Sequence, residues 1–328
     1  MEEKMMAAFD YAITTANEEM FDILAKGFEK FSKEDKVEIL KNTIMTCPKT
    51  DFIQHVLDYG YEDDFEDEDK NTMLHYAAAS AFPKTVNFFI KKGFDLEAKN
   101  INEKTPLCVA AQECPNVEVV KALVKAGADT GVVFNAGDDL LHIASGLNPE
   151  PEVTNYFLKQ GFDVEGKDNN GCTPLLFASR YQSNIAVLAA LITAGANKDA
   201  KTNDGENLLH LSALNDSFNV NNYIYKVFMT SDTDKNGVTC LQNALMKNSS
   251  VDVIKIFVEK MRTEQVMYAC YNSEPNILDA LFTMGYDPNA KDVFGTTVLM
   301  MASRVNENPV VVQMLYCRNV CVDAKDDN

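Results

Sequence analysis

The stretch Thr105-Pro106-Leu107-Cys108-Val109-Ala110-Ala111 decides the fold, because close copies of it recur along the chain at a nearly constant spacing. The copies open at Thr72, Thr105, Asp139, Thr173 and Asn207, in steps of 33, 34, 34 and 34 residues. Weaker copies open at Thr239 and Thr297. A fixed period of this length indicates stacked structural repeats, each of which packs only on its neighbours.

A row of glycines supports the same frame. Each glycine of the row lies 12 residues before the opening residue of a copy: Gly60, Gly93, Gly127, Gly161, Gly195 and Gly285. A helix that ends at such a position needs a residue in the left-handed conformation, which glycine adopts without steric strain. The glycines therefore predict where the second helix of each repeat ends.

The residue types within one period predict two helices and a turn. Threonine can cap the first helix, and the proline after it occupies a first-turn position where its missing N–H has no effect. A second apolar helix follows, as at Val119, Val120, Leu123 and Val124, with helical spacing on one face. The polar segment between glycine and the next threonine, such as residues 94–100, is too short for a third helix and suits a projecting hairpin.

A Thr-Pro-Leu-His-x-Ala phrase with a period near 33 residues resembles the ankyrin repeat. This resemblance implies an all-α repeat solenoid, an ankyrin-type helix-turn-helix stack with projecting hairpin loops, which we call fingers. It also implies a concave surface that binds protein. The longest uninterrupted stretch, from about residue 67 to 201, is expected to form that surface.

The regularity of the repeats predicts three regions. Residues 1–60 lack the phrase but contain two apolar helix pairs, predicted at 5–16 with 18–28 and at 33–45 with 50–59, and we interpret them as degenerate repeats that form a polar cap. Residues 61–234 are regular ankyrin repeats. Residues 235–328 are degenerate ankyrin repeats that end in mid-repeat, after Asn319 in the glycine position; whether the protein continues past Asn328 stays open. A helix predicted at 251–261 runs almost directly into Thr263 and leaves no room for a finger there.

The charge of the chain excludes some partners. Asp and Glu number 49 against 30 Lys and Arg, so the net charge is −19, which repels a phosphate backbone and argues against nucleic acid. Seven acidic residues lie within 62–69, a run that is usually solvated loop but alternatively docks a basic partner. The start of the chain lacks the layout of a signal peptide, and no apolar run is long enough to span a membrane. We expect a cytoplasmic or nuclear protein that is monomeric by itself.

The residues that could carry chemistry follow the repeat and do not converge on a site. His75, His142 and His210 occupy the same place in three repeats, so they predict a stacked row rather than a ligand set; in ankyrin proteins this imidazole bridges backbone groups of the loops. The eight cysteines form no CxxC pair and are expected to be reduced and buried. The sequence predicts no catalytic residue, no metal and no cofactor.

The family resemblance also implies which residues contact a partner: finger positions just before each phrase, and the end of the helix that carries the phrase. From the fingers these are Asp69, Asn71, Asn102, Lys104, Asn135, Asp138, Asn170, Cys172, Asp204 and Glu206, and from the helices Gln112, Glu113, Arg180 and Tyr181. Ser80, Leu147 and Asn215 hold helix positions of the same kind. Arg180 and Tyr181 stand out, because arginine and tyrosine are enriched among residues that carry binding energy.

Three functions are consistent with these features. The first is a non-catalytic scaffold or adaptor that binds a protein partner, which is basic if the acidic run docks it. The second is a structural subunit of a large multiprotein assembly, which the degenerate ends would suit. The third is an accessory fragment of a longer enzyme, which needs a catalytic domain outside these residues.

Overall fold

The computed structural model describes residues 3–27, 31–60, 65–134, 136–227, 233–248, 250–258, 263–318 and 320–326. These residues form pairs of helices joined by turns, and their only β-type pairing consists of isolated bridges in three fingers. The predicted all-α repeat solenoid is therefore confirmed. The chain divides into two compact units, residues 1–162 and 163–328. The division into three regions at residues 60 and 234 stays a prediction.

The first unit contains five helix pairs. We call the first helix of each pair the inner helix and the second the outer helix. The helices are α1 (Glu3–Thr15), α2 (Glu18–Leu24), α3 (Lys33–Thr46), α4 (Thr50–Leu57), α5 (Met73–Ala79), α6 (Pro83–Lys91), α7 (Pro106–Glu113), α8 (Val117–Ala126), α9 (Leu140–Leu147) and α10 (Pro151–Lys159). Inner helices pack on inner helices from α1 to α9, and outer helices pack on outer helices from α4 to α10.

The second unit contains four α-helical pairs and one pair whose inner member is a 3-10 helix. Its elements are α11 (Pro174–Tyr181), α12 (Ile185–Thr193), α13 (Leu208–Ser212), α14 (Phe218–Val227), α15 (Cys240–Lys247), α16 (Val251–Phe257), the 3-10 helix (Thr263–Tyr271), α17 (Pro275–Thr283), α18 (Val298–Val305) and α19 (Pro309–Cys317). The 3-10 helix packs between α15 and α18, where an inner helix belongs. Residues 259–262, where the sequence predicts the end of the preceding helix, lie outside the described residues.

The glycine prediction is confirmed at all six positions. Each of these glycines has a positive φ between 87° and 103°: Gly60, Gly93, Gly127, Gly161, Gly195 and Gly285. Gly127 is the C-cap of α8, and its N–H donates to the carbonyls at the end of that helix. A left-handed residue therefore ends the outer helix and turns the chain toward the finger.

In the repeats that contain it, the phrase caps the inner helix, and its histidine can also bond that helix to the next repeat. The Thr72 N–H donates to Nδ1 of the buried His75 at 3.1 Å, which leaves Nε2 to carry the proton and donate to the Lys104 carbonyl at 2.9 Å. His210 bonds the Val238 carbonyl at 3.0 Å in the same way. The predicted structural role is confirmed for His75 and His210, because each of them joins a helix start to the finger of the following repeat, and His142 bonds the cap residue Asp139 of its own helix.

The fingers are tight hairpins that bond to one another. In a representative finger, the Asn100 N–H donates to the Lys104 carbonyl at 3.1 Å and the Glu103 N–H donates back to the Asn100 carbonyl at 2.9 Å. The Ile101 N–H then donates to the Asp69 carbonyl of the preceding finger at 2.9 Å. Within the second unit the same finger-to-finger bond joins Asn203 to Asn170 at 2.7 Å and Lys235 to Asp204 at 2.8 Å. The fingers therefore form a backbone ladder in each unit.

A second ladder, which the sequence analysis missed, consists of buried or half-buried asparagine side chains just after the inner helices. The Asn248 Nδ2 group donates to the Ala213 and Asn215 carbonyls at 2.9 and 3.0 Å, while its Oδ1 accepts the Ser250 N–H at 2.8 Å. Three further asparagines make the same three bonds within the second unit: Asn215, Asn272 and Asn306. Each one satisfies carbonyl groups at the end of the preceding inner helix, which would otherwise be buried without donors.

The N-terminal helices have their own aromatic core. The Phe21 ring lies 5.3 Å from Phe9, 5.8 Å from Phe52 and 5.4 Å from Tyr59, in edge-to-face contacts. The observed helices agree with the four predicted ones to within four residues at each end. Aromatic burial here takes the place of the missing threonine phrase, since such pairs add stabilisation beyond the area that they bury.

The prediction of buried cysteines is only partly right. Cys47, Cys108, Cys114, Cys172 and Cys270 are buried, and Cys240 is half-buried, but Cys317 and Cys321 are exposed. Cys317 is the last residue of α19 and Cys321 follows that helix, where no further helix pair covers them among the described residues.

We expect Asn248→Ala to lower the free energy of unfolding by about 2–4 kcal/mol, because it leaves the Ala213 carbonyl and the Ser250 N–H without this partner and removes one of the two donors to the Asn215 carbonyl. Urea unfolding followed by circular dichroism measures this change. The matched control is Asn236→Ala, at an exposed finger position whose side chain makes no hydrogen bond among the described residues, and we expect it to stay within about 0.5 kcal/mol of the wild type. Equal unfolding midpoints for the two variants would contradict a stabilising asparagine ladder.

We expect His75 to make stability depend on pH. Burial lowers the pKa of His75 despite its bond to the Lys104 carbonyl. The folded state therefore favours the neutral imidazole, and its contribution is complete above the unfolded pKa near 6.5 and is lost as pH falls below it. Gln242 holds the equivalent position after Thr239 and completes the same cap, so His75→Gln is a conservative test. The variant should reduce the slope of the free energy of unfolding against pH, between about pH 6.5 and 5, by at most about 1.4 kcal/mol per pH unit. An unchanged slope would contradict a neutral, buried His75 as the source of this pH dependence.

Candidate protein-binding surface

Three of the predicted contact residues in the first unit lie side by side. The Lys104 ammonium group at the base of a finger bonds the Gln112 amide oxygen near the end of α7, and the Gln112 Nε2 group donates to the Glu113 carboxylate at 3.0 Å. Glu113 is exposed, and the other two side chains are half-buried. The finger and the inner helix thus present one continuous polar surface.

Asp69 and Asn71 belong to the first finger, residues 66–72, and their roles differ. The Asp69 side chain is exposed, while its carbonyl accepts the Ile101 N–H. The Asn71 Oδ1 atom accepts a hydrogen bond from Asn100 Nδ2 at 2.9 Å, and its own Nδ2 group donates to Asp67 at 3.0 Å. Asn71 therefore joins two fingers, and Asp69 is the more accessible of the two.

Two other predicted residues of this unit are placed differently. Asp138 exposes 7% of its surface, and its carbonyl accepts the Phe134 N–H at 2.9 Å within the finger. Its burial makes it unsuitable as a contact residue. Asn135 lies outside the described residues.

Arg180 and Tyr181 form an ordered pair at the end of α11 in the second unit. The Tyr181 ring lies 4.8 Å from the Phe177 ring, one helical turn earlier, and the Arg180 guanidinium lies 5.4 Å from the Tyr181 ring. Tyr181 is 49% exposed. Packing on Phe177 restricts the tyrosine, so less side-chain entropy is lost when a partner binds it.

The fingers of the second unit supply three predicted residues. Asn170 and Asp204 have exposed side chains, and their carbonyls accept the ladder bonds from Asn203 and Lys235. The Glu206 side chain is half-buried, and its N–H donates to Thr202 Oγ1 at 3.2 Å. In these fingers the backbone holds the structure, and the side chains of Asn170 and Asp204 remain accessible.

The structure removes two of the helix positions from the surface. Ser80 exposes 1% of its surface, and its hydroxyl donates to the Ala77 carbonyl at 2.7 Å. Asn215 exposes 7% and is part of the asparagine ladder. Both side chains bond to helix-end carbonyls, so a small polar residue at this position is structural.

An apolar finger tip was missed by the sequence analysis. Val293 and Phe294 are 85% and 62% exposed in the finger before α18. The equivalent residues are Glu68 and Asp69 in the first finger and Lys235 and Asn236 in the finger before α15. An alignment of the fingers with one another would have identified this apolar pair.

The described residues contain no group of three or more His, Cys, Asp or Glu side chains that could hold a metal ion. Among the described helices, none combines the length and the apolar character that crossing a bilayer requires. The arrangement offers exposed polar, cationic and aromatic side chains on ordered backbone, which suits recognition of another macromolecule.

Comparison with known proteins gives the family. The family model of ankyrin repeats, in three copies, matches residues 44–134 and 115–202. The chain is 26% identical over 175 residues to an ankyrin repeat protein of fowlpox virus, covering 52% of this chain and 45% of that protein. It is 32% identical over 113 residues to a homolog of transient receptor potential cation channel subfamily A member 1 from Caenorhabditis elegans, covering 33% of this chain and 9% of that protein.

An enzyme is also among the relatives. The chain is 23% identical over 225 residues to the phosphocholine transferase AnkX of Legionella pneumophila, covering 66% of this chain and 22% of that protein. The chain thus spans less than half the length of each of these three relatives. What the repeat stack, the fingers and the matched family model have in common is the ankyrin repeat itself, which is typically non-catalytic. The chain belongs to the ankyrin repeat family, whose repeats generally mediate protein–protein interaction.

Proposed function

We propose that this chain is a non-catalytic interaction scaffold or adaptor that binds a protein partner through its fingers and inner-helix ends. The observation that carries the proposal is the Arg180–Tyr181 pair, in which an exposed tyrosine packs on Phe177 beside a guanidinium. Side chains of these two types dominate the binding energy of many protein interfaces.

The surroundings of the pair support a recognition role. Gln182, the residue that follows, is buried, so the chain enters the stack immediately after Tyr181 and fixes the end of the helix. The fingers on either side of α11 in sequence present the exposed side chains of Asn170 and Asp204. An aromatic anchor with adaptable polar neighbours is a common composition for a binding surface.

Arg180 and Tyr181 do not belong to the packed face of α11. The buried face of α11 is formed by Leu175, Leu176 and Ala178, which pack in the stack. Arg180 and Tyr181 lie outside that face and are both exposed. Replacing them therefore tests binding with little effect on folding.

We expect Arg180→Ala/Tyr181→Ala to weaken the capture of the partner by at least about tenfold, or about 1.4 kcal/mol. The measurement is quantitative affinity capture from the native source, with the wild type and the variant as parallel baits and mass spectrometry as the readout, followed by titration of the captured partner. The unfolding midpoint of the variant should change by less than the equivalent of about 1 kcal/mol.

The matched control for this test is Lys226→Ala/Tyr316→Ala, which removes one cation and one tyrosine from the outer helices α14 and α19. Both side chains are exposed, Tyr316 by 68%. Capture that is undiminished in the Arg180/Tyr181 variant, or diminished equally in the control, would show that this pair does not carry the interaction.

A further inference from the structure

The first finger, residues 66–72, is the edge of the ladder in its unit. Gly27 has a φ of 84° after α2, as Gly60 has 103° after α4, so both end an outer helix in the same way. Five residues then lead from Gly27 to the cap of α3 at Ser32, whereas twelve lead from Gly60 to Thr72. The connection before α3 is therefore seven residues shorter, and among the described residues no finger precedes the first one.

The edge leaves one backbone donor facing the position of a preceding finger. In each finger-to-finger bond described above, the donor stands four residues before the phrase: Ile101, Asn203 and Lys235. Glu68 holds that place in the first finger, and its N–H donates to no described residue. The backbone donor that bonds a preceding finger elsewhere in the array therefore recurs here without such a partner among the described residues.

A cavity of 280 Å³ lies beside this edge, between α3 and the first finger. Val37 of α3 and Tyr76 of α5 contribute to its wall. Five carboxylates line it against two lysine ammonium groups, and the carboxylates are those of Glu34, Glu38, Asp67, Glu68 and Asp69. The volume is at the lower end of the range for ligand sites, so the cavity suits one or two side chains of a larger partner.

Asp67 is held in its charged form within this cavity. Burial raises the pKa of its carboxyl group, but hydrogen bonds from Tyr76 and Asn71 outweigh burial and lower the pKa below its usual value. The Tyr76 hydroxyl donates to Oδ2, and the Asn71 N–H donates to Oδ1 at 2.6 Å. A fixed, charged carboxylate next to an exposed backbone edge favours a ligand that combines positive charge with a peptide carbonyl.

We propose that this cavity binds an extended, basic segment of a protein partner, which takes the place of a preceding finger. A carbonyl of the segment accepts the Glu68 N–H, continuing the ladder by the bond that Ile101 makes to Asp69. A Lys or Arg side chain of the segment enters the cavity and donates to the carboxylates. Edge pairing of this kind supplies affinity through the main chain, while the charged lining supplies selectivity.

The proposal shares with the proposed function only the premise that the partner is a protein. The site lies wholly in the first unit, and Arg180 and Tyr181 lie in the second. Loss of the Arg180–Tyr181 interaction would leave the cavity test unaffected, and failure of the cavity test would leave the Arg180–Tyr181 result unaffected. The outcomes of the two experiments are therefore independent.

The test uses the full chain and the blocked peptide acetyl-Ala-Arg-Ala-Arg-Ala-Arg-Ala-amide, titrated at about 0.15 M salt so that exposed charges are screened. Amide NMR spectra should show the Glu68 resonance shifting downfield, with slower hydrogen exchange. Glu38→Gln/Glu68→Gln should weaken binding by about tenfold, because it removes two carboxylates and keeps both side chains nearly isosteric. Lys41→Ala, which removes a cation from the lining, should strengthen binding by about threefold.

The control is Glu19→Gln/Glu152→Gln, which removes the same charge from the exposed faces of α2 and α10. Its affinity should lie within about twofold of the wild type, since screened charges at a distance contribute little. The proposal is overturned if the peptide does not bind below about 1 mM, if both double variants bind it equally, or if the Glu68 amide is unchanged at saturation. Equal weakening of peptide binding by the two double variants would show attraction by net charge alone. An unchanged Glu68 amide resonance would show that the peptide binds elsewhere.

Discussion

The structure depends on the contact between successive inner helices, because no helix pair of this chain can bury its apolar face by itself. The phrase places residues such as Leu107 and Ala110 at 0% exposure between the inner helices of the adjacent repeats. Close approach of these helices also buries backbone carbonyls at their ends, and buried carbonyls require donors. The asparagine ladder meets this requirement at the helix ends. The histidine bonds and the finger-to-finger bonds join successive repeats at the fingers.

The parts of the fold that could be predicted are those determined by local chemistry. Gly127 ends α8 because only a left-handed residue continues the chain there, and Thr105 begins α7 because its hydroxyl accepts the Cys108 N–H. Such signals recur at fixed intervals, so one period predicts the others. For His75 the family resemblance, and not local chemistry, implied a backbone bond, which the structure places at the Lys104 carbonyl.

What the sequence did not reveal depends on partners distant in the chain. Asn248 and Asn272 bond carbonyls of the preceding repeat, and nothing in the local sequence distinguishes them from exposed loop asparagines. Spacing would have helped: Asn215, Asn248, Asn272 and Asn306 are separated by 33, 24 and 34 residues. The short middle step marks the repeat whose inner helix is the 3-10 helix. Among the candidate contacts, burial removed Asp138, because a polar residue at the base of a finger points inward as readily as outward.

A uniform stack restricts where function can be located. Residues that cap helices or bond the ladders are determined by structure, so specificity must come from side chains that the stack does not use. Arg180 and Tyr181 meet this condition at the end of α11, and Glu68 meets it at the edge of the first finger. Edges differ from the middle of the array in one further respect, since the backbone groups that bond the next repeat inside the stack are exposed there. The regular repeats therefore provide positions for variable side chains, while an irregular end provides main-chain hydrogen-bonding groups. A partner that contacts both is recognised through its side chains and through its main chain.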